Sequence, residues 1–88
     1  MAENILLDGS IPTPLIAEFD LDLTDKNNAS IAVANPTGDI ALELKAGGDW
    51  VPVDIIGADP QSLGIYTSGK FRVVSAGLGA TEVVSLHR

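Results

Sequence analysis

From Leu15 the chain alternates. Leu15, Ala17, Phe19, Leu21 and Leu23 hold one set of positions, and Ile16, Glu18, Asp20 and Asp22 hold the other. A helix would scatter these acids around its circumference, whereas a strand gathers them on one stripe. The same period of two recurs downstream. Ile31 and Val33 share a face in residues 30–34, and Ile40, Leu42 and Leu44 alternate with Ala41, Glu43 and Lys45. Phe71 and Val73 are in register in residues 70–76, and Val83 and Ser85 alternate with Glu82, Val84 and Leu86. In residues 50–56, Val51, Val53 and Ile55 form one face, with Trp50, Pro52, Asp54 and Ile56 opposite. Proline donates no hydrogen bond, so Pro52 sends this strand to a sheet edge or a bulge. Residues 63–67 are short enough for a strand or an irregular crossing.

Turn chemistry punctuates these runs every 8–12 residues or so, the spacing of an antiparallel sandwich or barrel. Residues 24–28 read as a turn, and Asn35-Pro36-Thr37-Gly38 has proline and glycine at β-turn positions. Ala46-Gly47-Gly48-Asp49 predicts a hairpin, and Gly77-Leu78-Gly79 predicts a tight turn that pairs residues 80–87 back on the preceding strand. Residues 1–13 read as an extended N-terminal arm. Asp8-Gly9-Ser10 is a turn signal, Pro12 and Pro14 forbid a central strand, and Ile5-Leu6-Leu7 has nothing local to bury against. The expected fold is therefore all-β, a small antiparallel β-sandwich or barrel over residues 14–88, with the arm free to dock on another subunit.

Composition narrows the function. The chain has 88 residues and can build one domain with a thin core. Twelve acidic against five basic residues give a net charge of −7, which argues against nucleic acid and anionic membranes as partners. With no cysteine there is no thiolate metal site, and a single His, His87, is expected to be an exposed chain end. No acid, base and nucleophile converge in sequence, so the chain is not expected to be an enzyme or to hold a cofactor or metal. Glu18, Asp20 and Asp22 should lie roughly 7 Å apart along one strand face. They lack the continuation of a calcium loop and read as a solvated face, with Lys70 and Arg72 as possible pairing partners. Met1-Ala2-Glu3-Asn4 carries an acid where a secretory signal carries basic residues, and the apolar run stops at Asp8. The expectation is a chain used without the secretory route and without a transmembrane segment.

Apolar side chains exceed what one sandwich face uses. Ile16, Ile56, Val74, Val84 and Leu86 fall opposite the main apolar face, so some must cover a second sheet or a second subunit. The lone Trp50 is either a lid on the core or an interface anchor. The interface candidates are thus Ile5, Leu6, Leu7, Ile11, Trp50, Pro52, Ile56 and Tyr66.

Gly48-Asp49-Trp50-Val51-Pro52-Val53, then Gly69-Lys70-Phe71-Arg72-Val73-Val74, then Gly77 and a last apolar strand to Leu86 carry a resemblance. Over about 40 residues the chain resembles the small β domains of tailed-phage virion proteins, among them head decoration and head-fibre proteins. The resemblance implies a structural virion protein, most of all a capsid decoration subunit. Its partners would be the major capsid protein or other virion subunits and further copies of itself, a trimer being favoured, and its location the virion. Two other readings fit the same features. One is a tail, fibre or adhesin module that stacks a glycan on Trp50 and Tyr66. The other is a small acidic inhibitor of a basic protein.

Overall fold

The computed structural model describes residues 3–11, 14–23 and 28–88. Pro12 and the first four residues of the turn expected at 24–28 lie outside them. Eight strands follow in order: β1 (Glu3–Asp8), β2 (Ile16–Leu21), β3 (Ala29–Ala34), β4 (Ile40–Ala46), β5 (Asp49–Ile56), β6 (Ser62–Ile65), β7 (Gly69–Ser75) and β8 (Val83–His87). They form two four-stranded antiparallel sheets, ordered β1-β8-β3-β6 and β2-β7-β4-β5. First pairs with last, second with seventh, third with sixth and fourth with fifth. A single long hairpin rolled over on itself produces this nesting, which is the eight-stranded jelly roll.

Alternation places the core. Ile31 and Val33 of β3, Val84 and Leu86 of β8, Ile40 and Leu42 of β4, and Phe71 and Val73 of β7 are all buried between the sheets. Phe19 of β2 stacks on its register partner Phe71 at 5.8 Å between ring centroids. Of the five apolar residues left over by alternation, Ile56, Val84 and Leu86 enter this core. Ile16 and Val74 stay on the outer face of the β2 sheet.

The N-terminal segment is not a free arm over residues 3–8. It is β1, paired along β8 with an irregularity at Leu6, and Leu7 is only 1% exposed. Pairing with the last strand supplied the cover that no local residue supplied. Leu6 also packs on the core. Beyond β1, Ser10 donates to Asp8 Oδ1 through its hydroxyl at 2.6 Å and its N–H at 2.9 Å, so the predicted turn is present. These bonds, the hydroxyl's above all, hold the Asp8 carboxyl below its ordinary pKa.

The last turn also differs from expectation. Residues 76–82 do not close a hairpin, because β7 and β8 lie in different sheets. The strand begins at Val83 rather than residue 80, and Glu82 turns inward. Its carboxylate accepts bonds from Thr37 Oγ1 at 2.7 Å, Gly79 N–H at 3.0 Å and Thr37 N–H at 3.3 Å. Asn35 Nδ2 donates to Thr81 O at 3.1 Å, and Gly9 N–H donates to Glu82 O at 2.8 Å. Three inter-sheet connections are thereby tied at one end of the sandwich.

Gly9 is needed at that junction because a Cβ there would sit 1.8 Å from the Gly79 carbonyl oxygen. Gly9→Ala should therefore destabilise the fold strongly. Gly38→Ala, whose Cβ meets nothing within 4 Å, should be neutral or stabilising by about 0.4–1 kcal/mol. Thermal melts of the two variants check the contrast. The β4–β5 hairpin turns on Gly47 and Gly48, both at positive φ (61° and 95°), as a two-residue turn between right-twisted strands requires.

Candidate functional site

The distinctive surface is the outer face of the β2 sheet, and strand register builds it row by row. Ile16 faces Val74, Val74 faces Ala41, and Ala41 faces Ile55, so one apolar row crosses all four strands. Ile16 is 46% and Ile55 55% exposed at the row's ends. The next row is charged. Glu18 faces Arg72, Arg72 faces Glu43, and Glu43 faces Pro52. Arg72 Nε donates to Glu43 Oε1 in a short ion pair, and the Arg72 guanidinium lies 4.6 Å from the Trp50 ring centroid. Lys45 Nζ approaches the same ring at 5.7 Å.

Trp50 is thus half-buried on the outer face, with cations against it, and is not a lid on the core. Its strand β5 is both an edge and bulged. Leu42 pairs with Asp54 but Glu43 pairs with Pro52, which leaves Val53 as the extra residue. The bulge reverses the alternation across Val53. Ile55 therefore shares the outer face with Trp50 and not, as simple alternation implied, with Val51.

The expected interface residues divide. Leu7 and Ile56, at 1% and 0% exposure, are core residues and offer no surface. Leu6 is half-buried against the core. Ile5 of β1, Ile11 beyond it, Pro52 of β5 and Tyr66 just after β6 are exposed. Tyr66, at 75% exposure, borders a cleft of about 210 Å³ between the sheets, lined by Leu42, Leu44, Val53, Asp54 and Phe71 among others. Trp50 is on the opposite side of the β2 sheet, so the two rings cannot stack on one ligand.

Of the acidic row, Glu18 lies 3.7 Å from Lys70 Nζ, whereas Arg72 goes to Glu43 instead. Among the described residues no group of three or more His, Asp or Glu is placed to hold a metal ion. His87 is not a loose chain end but the last residue of β8, hydrogen-bonded through Nε2 to Ser85 Oγ at 2.8 Å. Among the described residues no helix is long and apolar enough to cross a membrane.

No protein-family model, no curated protein and no solved structure matches this chain. The functional reading therefore rests on the surface itself. What the alternation pattern missed is the joining of Ile16, Val74, Ala41 and Ile55 into one row. These residues come from four strands, and only the register brings them together.

Proposed function

We propose that the protein is a structural virion subunit of the capsid-decoration kind, which works by covering area on a shell and on neighbouring copies. The apolar row Ile16–Val74–Ala41–Ile55 carries this reading, with Trp50 on the same face beyond the charged row. A row of apolar side chains on the solvent side of a small acidic domain is the pattern of an assembly surface. The Gly-x-Trp and Gly-Lys-Phe-Arg strands that resemble phage virion domains support it from the sequence. The jelly roll supports it by analogy only, since that fold serves capsid and lectin domains and cupins alike. A glycan-stacking role is less well supported, because Trp50 is occupied by Arg72 and lies apart from Tyr66.

The test combines light scattering of the isolated chain over a dilution series with co-sedimentation on phage shells lacking decoration. The wild-type chain should sediment with the shells. The Ile16→Glu/Ile55→Glu double variant should lose at least about tenfold in shell affinity, a shift of about 1.4 kcal/mol. Its folding stability should change by no more than about 1 kcal/mol, as for other exposed positions. Unaltered shell binding by a folded double variant would reject this surface, and a wild-type chain that ignores shells would reject the virion role.

A further inference from the structure

The two edges of the β2 sheet are not alike. At β5 the edge is sealed. Pro52 has no N–H, Val53 bulges, and the Ile55 N–H is taken by Asp54 Oδ1 at 2.9 Å. These are devices by which edge strands avoid pairing with other chains. In the other sheet, β6 has only four residues and β1 is broken in register at Leu6.

Strand β2 has neither the proline nor the bulge of β5, nor the break in register of β1. Its six residues pair with β7 in unbroken register, without proline, glycine or bulge. Ser75 N–H donates to Leu15 O at 2.8 Å, which sets the phase of the ladder. Ala17, Phe19 and Leu21 direct their backbone groups to β7. Ile16, Glu18 and Asp20 direct theirs away, to the open edge. Among the described residues β1 of the other sheet runs close to β2, and Arg88 Nη1 donates to Asp20 O at 3.3 Å.

The side chains beside the edge select what can pair there. Two copies of the chain, paired antiparallel so that all three outward residues are used, would set Glu18 against Glu18 and Ile16 against Asp20. Like charges directly opposite destabilise such pairs. A strand with basic residues opposite Asp20 and Glu18 and an apolar one opposite Ile16 gains at all three positions and lengthens the apolar row. The existing Glu18–Lys70 pair does not prevent this, since both side chains are about half exposed and such pairs are weak.

We infer that β2 is a docking edge for an extended segment of another protein, with the antiparallel pattern basic-x-basic-x-apolar. The segment adds a fifth strand to the sheet through backbone hydrogen bonds, and Glu18 and Asp20 choose basic partners over a second copy. This inference goes beyond the virion reading, which enters only in expecting the segment on a shell subunit.

The test is an NMR titration of the full isotope-labelled chain with a capped peptide, Thr-Lys-Thr-Lys-Thr-Val-Thr, and its Glu-for-Lys counterpart. The Lys peptide should shift the amides of Ile16, Glu18 and Asp20 and slow their hydrogen exchange. The Glu peptide should bind at least about tenfold more weakly. Glu18→Pro removes an N–H that no ladder bond uses, so it should abolish binding without changing the melting profile. If that variant does not fold, Glu18→Gln/Asp20→Asn carries the test, because it should bind the two peptides equally. Shifts confined to β1, β5 or β6, or a Lys preference retained by the double variant, would overturn the inference. Peptide docking at β2 without shell binding would leave it standing and remove the virion reading. Shell binding with no peptide effect at β2 would do the reverse.

Discussion

Glu82→Ala is expected to lower the unfolding free energy by about 3 kcal/mol, and so to drop the melting temperature by more than about 10 °C in a domain of this size. Glu82 is 1% exposed, and its carboxylate is the acceptor for Thr37 Oγ1, Thr37 N–H and Gly79 N–H. Truncation leaves three donors without a partner at the point where three inter-sheet connections meet. Two opposed effects set the group's titration. Burial pushes its pKa up, and the bonds from the Thr37 hydroxyl, Gly79 N–H and Thr37 N–H together pull it further down. The net result is below the ordinary value of 4.5.

A depressed folded-state pKa gives the sign of the pH effect. The unfolded chain binds the proton more readily, so the stabilisation is complete above pH 4.5 and is lost as pH falls through the folded-state value. Urea midpoints of wild type and Glu82→Gln, compared between pH 7 and pH 3, isolate this contribution from the other acids. The gap between the two proteins should narrow below about pH 4.5. A gap of constant width across that range would show that the carboxylate charge does not hold this junction.

Where a strand is half buried, its pattern was readable because one face must be apolar. The edge role of Pro52 was equally readable, since a missing donor is a local chemical fact. What could not be read was the pairing. Gly77-Leu78-Gly79 signals a change of direction, but glycines do not say whether the chain returns to its own sheet or crosses to the other. Here it crosses, and Glu82, which alternation treated as one more strand residue, became the buried acceptor of the crossing. The bulge at Val53 had the same effect on a smaller scale. One inserted residue turned Ile55 outward, and no period of two contains that information. Trp50 meets Arg72, 22 positions away, only because β4 lies between their strands.

The N-terminal segment separates two physical pictures most sharply. Were residues 1–13 an arm that clasps a neighbour, their removal would weaken assembly and spare the fold. With β1 laid along β8 and Leu7 sealed between the sheets, removal should instead undo the domain. Leu7→Ala alone is expected to cost about 3 kcal/mol through lost transfer energy and an unfilled cavity. A domain of this size has only about 4–13 kcal/mol in total. Deleting residues 1–8 goes further, because it also uncovers the β8 edge from Val83 to His87, leaving its backbone groups without their ladder partners. The truncated chain should lose its cooperative denaturant transition, and circular dichroism should report less strand. Ile5→Ala, at a half-exposed position of the same strand, is the control, and should cost under about 1 kcal/mol. A truncated chain that melts at the wild-type temperature would mean that β8 holds its place without β1, and would return residues 1–8 to the role of a docking arm.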